Sequence, residues 1–159
     1  MIWVISPFWV TILDFVVWFV ISMGVGYYYY SRPDNRFIED DWLTSMRSWE
    51  RNGEFYQKTL RIMIWKKYLP DGSRLTRKGF QKKHLQVTTT DYLQKFILES
   101  RRAEWTHFVS LLFTPLFIIW NTFPDMLAVI VYAVFFNIPC LLTQRFNRIR
   151  LSRVVAKRH

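Results

Sequence analysis

Residues 105–142 read WTHFVSLLFTPLFIIWNTFPDMLAVIVYAVFFNIPCLL, and their only charged residue is Asp125, with one histidine, His107, near the start. Two apolar runs, 105–123 and 126–142, flank a turn-prone link at 121–125 (NTFPD) that has no basic residue. A membrane-spanning helix needs about 20 apolar residues at 1.5 Å rise each. Both runs come close to that length, and so short a link makes them an antiparallel helical hairpin. Each run carries a proline, Pro115 and Pro139. A proline removes a backbone donor and kinks a helix, and inside a membrane the freed carbonyl needs another partner.

Working outward, residues 1–30 form a third apolar block with one ionisable side chain, Asp14. No Lys or Arg precedes it, and it ends in four tyrosines at 27–30, an interfacial aromatic belt rather than a small-residue cleavage site. The block reads as a retained anchor. Across 159 residues, 51% are hydrophobic and 19% aromatic, which excludes a disordered chain. The single Cys140 excludes a disulfide scaffold. A soluble nucleic-acid binder is disfavoured as well, because water would not tolerate these blocks.

Charge sets the expected orientation. Residues 31–107 carry sixteen Lys or Arg against ten acids, and the chain from Arg145 onward adds six bases and no acid. The positive-inside rule places the central region and the C-terminus in the cytoplasm, with the N-terminus and the 121–125 turn outside. The expectation is an all-α integral plasma-membrane protein with three transmembrane helices, N-out and C-in. Helix 1 occupies 1–30, a basic cytoplasmic and membrane-surface region 31–104, the hairpin 105–143 and a basic tail 144–159. In the central region, Phe37, Trp42, Trp49 and Phe55 fit a helical membrane-surface face, with Arg47, Arg51 and Lys58 at phosphate headgroups. Pro70, Asp71 and Gly72 make a turn. Thr88 with Asp91 resembles a capping box that starts a helix running through Arg102 into the second span.

The chemistry-bearing residues are few. His84, His107 and His159 are too far apart in sequence for a zinc-site spacing, and neither a Walker loop nor GxGxxG nor GxSxG occurs. No bound cofactor is expected. The stretch 99–107, ESRRAEWTH, puts Glu104 and His107 on one helical face. A carboxylate beside an imidazole fixes its tautomer and raises its basicity, as a general base for an alcohol requires. Arg101 and Arg102 are placed to neutralise a phosphate or an oxyanion. The blander reading makes all four ordinary interfacial residues. His84, with Asp91 seven residues on, is the alternative base or a surface histidine. Asp14 faces the bundle or a wet cavity, paired with a basic group, in a structural or a functional role. Asn137 and Gln144 either line a polar groove or tie helices together. Arg145, Arg148 and Arg150 are a topology signal that binds anionic lipid, or a cradle for the phosphates of an acyl donor.

Several motifs recur together along residues 32–153: Pro33-Asp34 and Phe37; Glu50, Gly53 and Phe55 in WERNGEFY; Trp65-Lys66 and Asp71-Gly72; His84-Leu85 and Asp91; Glu99, Arg102, Ala103, Glu104 and His107; then Asn137, Pro139, Gln144, Arg145, Asn147, Arg148 and Arg150. In their order and spacing the chain resembles the glycosyl-4,4'-diaponeurosporenoate acyltransferases of staphyloxanthin-type carotenoid synthesis. The resemblance implies esterification of a fatty acyl chain onto a sugar hydroxyl of a glycosylated carotenoid acid. It adds Glu99, Lys66 and Asn147 to the residues expected to bind acceptor or donor. The expected partners are the lipid bilayer, an amphiphilic glycolipid or carotenoid acceptor and an acyl donor (acyl-coenzyme A or acyl carrier protein) as co-substrate, with no nucleic acid. His107 oriented by Glu104, or else His84, would deprotonate the sugar hydroxyl. The rival is a non-enzymatic membrane scaffold that binds anionic lipid.

Overall fold

A computed structural model of the chain describes residues 6–69 and 89–158, and all regular structure among them is helical. His84, Thr88 and the turn expected at 70–72 lie outside the described residues. The chain forms two compact units, one from residues 1–32 and 106–138, the other from 33–105 and 139–159. Every Lys and Arg except Arg32 belongs to the second, so the units are called apolar and basic here.

In the apolar unit, α1 spans Pro7–Tyr30, with Ser6 before it and Pro7 at its first position, where the missing N–H costs nothing. It ends where the Ser31 amide donates to Tyr27 O at 2.9 Å and the Ser31 hydroxyl to Tyr28 O at 2.9 Å. The run expected to be one helix over 105–123 is divided. The helix α4, Thr90–Leu112, stops eight residues into it, and a 3₁₀ segment, Thr114–Ile119, follows. The physical cause is Pro115, which has no amide to donate back to the preceding turn and sits in the first turn of the 3₁₀ segment. Leu116 N instead bonds Phe113 O at 3.0 Å, three residues back. The Thr122 hydroxyl donates to Asp125 Oδ2 at 2.6 Å and Pro124 lies in the first turn as α5, Phe123–Ala156, begins. At 34 residues α5 is about 51 Å long and runs through Pro139 into the basic tail. Helices α1 and α5 are long and apolar enough to cross a membrane.

Trp18, Phe117, Val129 and Ala133 form the core of this unit, and the Trp18 ring lies 5.6 Å from Phe117 and 5.9 Å from Tyr132. Much of the rest of the apolar surface faces outward, with Phe8 66%, Phe19 65% and Phe135 71% exposed. Among the described residues Asp14 has no basic partner. Its Oδ1 accepts from the Trp120 indole at 2.7 Å and the Asn121 amide at 2.8 Å, pinning the turn to α1. Asp14→Leu should therefore lower the unfolding midpoint in mixed micelles by the equivalent of about 1–3 kcal/mol, while Asp14→Asn, which keeps an acceptor, loses less. An unshifted Leu variant would show that the staple contributes nothing.

The basic unit packs the first half of α4 and the second half of α5 with a layer of short helices over 34–68. The expected surface helix is broken into a 3₁₀ turn Ser48–Gly53, α2 Glu54–Lys58 and α3 Ile62–Trp65. Left-handed backbone explains the breaks, since Arg51, Asn52 and Gly53 have φ of 46, 55 and 93° and Arg61 has 46°. At Gly53 an added Cβ would also meet Ile149 Cγ2 at 3.5 Å. Phe37, Thr44, Glu50, Tyr56 and Ile62 are buried, whereas Trp42 and Trp49 are exposed. Phe37 thus departs from the expected surface face, and the Arg102 guanidinium lies 4.9 Å over its ring. One core joins Tyr56 and Ile62 to Phe146 and Ile149, and a second joins Leu93, Phe96 and Ile97 to Leu151. Thr89, one residue after the expected Thr88, caps α4 by accepting from Tyr92 N at 3.4 Å.

Candidate active site

His107, on α4, and Asn137, on α5, are placed together in the apolar unit, with His107 Nδ1 3.2 Å from Asn137 Oδ1. The amide of Asn137 has a defined orientation because its Nδ2 donates to Ala133 O at 3.0 Å, and a carbonyl can only accept. Oδ1 therefore faces the imidazole, and Nδ1 must carry the proton that it receives. In the neutral imidazole the lone pair then belongs to Nε2. A neutral imidazole held in this tautomer by a second group is the arrangement a general base needs.

Glu104, expected to orient His107, has other partners in the basic unit. The side chain is fully buried, and its carboxylate accepts from Arg148 Nε at 2.6 Å and Arg145 Nη1 at 3.2 Å. Burial pushes the Glu104 carboxyl above its ordinary value, even with Arg148 and Arg145 pulling it down. Arg145 also grips Glu50 in two places, Nε to Oε1 at 2.6 Å and Nη2 to Oε2 at 3.1 Å. It donates as well to the carbonyls of Leu43 at 2.5 Å and Ser45 at 2.7 Å, so all five of its N–H groups are engaged. Arg148 adds Asp40 at 3.1 Å and the Thr44 carbonyl. Tyr56 donates to Glu50 Oε1 at 2.5 Å. Burial and this bond raise the Tyr56 hydroxyl pKa. Burial tends to raise Glu50 too, but Arg145, the Arg47 amide and Tyr56 outweigh it and hold the carboxyl below its ordinary value.

The same pattern accounts for Arg101, Arg102 and Glu99. Arg101 bonds Asp40 at 2.8 Å and the carbonyls of Phe37 and Ile38. Arg102 bonds Glu99 at 2.6 Å and Asp34 at 2.7 Å, and Lys95 joins both acids. Four arginines expected at a phosphate or oxyanion instead hold the 34–50 layer against α4 and α5. Arg145, with all five N–H groups engaged, cannot grip a donor without releasing a carboxylate or carbonyl.

Lys66, Asn147 and Arg150 form a separate cluster. Lys66 Nζ lies 3.3 Å from Asn147 Oδ1 and 5.2 Å from the Phe146 ring centroid, and Arg150 is one turn further along α5. Gln144 sits half-buried on the same helix. Four participants escaped sequence reasoning as site residues: Asp40, Asp41, Glu50 and Tyr56. Asp41 accepts from the Trp105 indole at 2.6 Å and from the Leu43 and Thr44 amides. The available signal was two adjacent acids in EDDW, and an acid just before a left-handed turn in WERNGEF.

Comparison with known proteins agrees in one direction. The family model described as glycosyl-4,4'-diaponeurosporenoate acyltransferase matches residues 39–157. A glycosyl-4,4'-diaponeurosporenoate acyltransferase from Staphylococcus aureus strain bovine RF122 / ET3-1 is 30% identical over 140 residues, covering 87% of this chain and 83% of its own length. The protein of the same name from strain USA300 is similar to the same extent. No solved structure matches. The family match covers Glu50, Glu104, Arg145 and Arg148 of the network and the His107–Asn137 pair, and the chain belongs to the glycosyl-4,4'-diaponeurosporenoate acyltransferase family.

Proposed function

We propose that the chain is a membrane-embedded O-acyltransferase that esterifies a sugar hydroxyl of a glycosylated carotenoid acid, the acceptor named in its relatives, or of a related glycolipid. The observation that carries this reading is the His107–Asn137 pair, in which the Asn137 carbonyl fixes the Nδ1–H tautomer of the imidazole. In the step itself, Nε2 takes the hydroxyl proton as that oxygen attacks the thioester carbonyl of an acyl-coenzyme A or acyl carrier protein. The tetrahedral intermediate collapses, the C–S bond breaks, and the imidazolium returns the proton to the leaving thiolate. General-base help of this kind is worth roughly 10²–10⁴ in rate. Holding two amphiphiles side by side contributes through proximity.

The reading includes a topology with the N-terminus outside and the basic unit in the cytoplasm. The exposed phenyl and indole groups of α1 and α5 suit lipid and not water. Asp14 lies sixteen residues before the end of α1, so the turn it holds at 120–121 sits about 24 Å along that helix. This nearly crosses the ~30 Å hydrocarbon layer, which supports a composite second crossing made of the end of α4 and the 3₁₀ segment. Trp42, Trp49 and Tyr68, exposed beside Arg47, Arg51 and Lys67, then lie at the headgroup level.

The test is mass spectrometry of lipids from cells that make a glycosylated carotenoid acid, with and without the protein. A species heavier by one fatty acyl group, present only with the protein, is the expected result. An unchanged lipid profile, with the protein verified in the membrane, would move the assignment to a non-enzymatic lipid-binding scaffold.

A further inference from the structure

In the basic unit most half-buried or buried cations have a carboxylate. Arg101 has Asp40, Arg102 has Asp34 and Glu99, Arg145 has Glu50 and Glu104, and Arg148 has Glu104 and Asp40. Lys66 differs. It is partly buried, and among the described residues no carboxylate pairs with it or with Arg150. Its neighbours are an amide oxygen, an aromatic face and a second cation. Burial, and then the Arg150 charge, hold the Lys66 ammonium below its ordinary pKa, the signature of a charge kept without compensation. Thr143 adds an independent observation. It lies at the i−4 position from Asn147 on the same stripe of α5, is 8% exposed, and its Oγ1 has no hydrogen-bond partner.

We propose that Lys66, Asn147 and Arg150 bind a phosphate ester. The two cations meet its oxygens, and the Asn147 amide donates through Nδ2, the atom its contact with Lys66 leaves over. Lys66 is partly buried and Arg150 exposed, so it is mainly the Lys66 charge that is costly in the empty protein, and an anion that meets both cations relieves that cost. Two sources share this chemistry: the phosphates of a soluble thioester donor, and the phosphodiester of an anionic lipid. The identification of the first source as the acyl donor rests on the acyltransferase reading, but the site itself does not.

The experiment uses the full chain in phosphatidylcholine nanodiscs, with equilibrium dialysis against radiolabelled coenzyme A and a parallel set of discs that contain phosphatidylglycerol. Lys66→Met keeps the aliphatic stem, and Arg150→Gln keeps polarity. If a soluble donor is the ligand, coenzyme A binds and each variant weakens it at least tenfold. If a lipid is the ligand, coenzyme A does not bind, but phosphatidylglycerol raises the Tm of the parent protein and not that of Lys66→Met. Either result supports the phosphate-ester site. Ligand-free Lys66→Met should melt at or above the parent, because a strained charge is gone. A lysine that only holds structure would give a lower Tm, no effect on either ligand, and the end of the proposal. His107→Ala should retain the same binding, so loss of transfer without loss of coenzyme A binding would indict the catalytic assignment alone.

Discussion

Glu104→Ala should cost the basic unit about 3–5 kcal/mol, enough to leave little folded protein in detergent, because it strands buried guanidinium groups. Arg148, 2% exposed, would keep only Asp40 as a counter-charge, and the Asp40 side chain is 39% exposed. Arg145 would lose one of its two carboxylates. Glu104→Gln should fall between, since its amide offers one acceptor and turns two unwanted donors toward the arginines. The double replacement Glu104→Leu with Arg148→Met should recover much of the loss, because a buried pair exchanged for packed apolar groups is often close to neutral. The measurement is the unfolding midpoint of the purified variants, read as a double-mutant cycle. If Glu104 served only to orient His107, Glu104→Gln would instead melt like the parent and lose activity alone.

The second large effect is on rate. His107→Ala should lower acyl transfer by roughly 10²–10⁴ while the Tm moves little, because the imidazole is only half-buried. Asn137→Leu removes the group that fixes the tautomer, so it should lower the rate by a smaller factor. Asn137→Asp should restore part of it, since a carboxylate accepts the Nδ1 proton equally well. The readout is transfer of labelled acyl chain by isolated membranes, normalised to folded protein. A folded His107→Ala variant with full activity would remove the histidine from the mechanism.

How far the sequence carries can be traced through these residues. The helices α1 and α5 were legible because long apolar runs leave no other way to satisfy the backbone. Pro115 was legible as a disturbance, but whether a proline kinks a helix or ends it depends on the packing around the freed carbonyl. Pro139 sits inside α5 without ending it, and Pro115 marks a real break. His107 stood out by residue type and position. Its partner did not, because i,i+3 spacing pointed to Glu104, whereas the register between α4 and α5 sets the observed contact with Asn137, thirty residues away. The partners of the arginines were hidden for a related reason. A basic cluster near a membrane looks like an anion site, and only the tertiary structure shows that acids 41 to 95 residues distant already occupy it. Lys66 stood out only through the family resemblance, and that no carboxylate among the described residues pairs with it is visible only in the tertiary structure.

The bond between Asp14 and the 120–121 turn also sets a clock. Its partners lie 106 and 107 residues further along the chain, and synthesis at about 5–20 residues per second places them there some 5–20 s after Asp14 is made. On the membrane reading proposed above, α1 enters the bilayer first and waits that long with a carboxyl that lipid does not satisfy. A chain cut short before Trp120 therefore leaves α1 marked by an unmet polar group. The finished hairpin hides that mark as soon as the indole and the amide arrive.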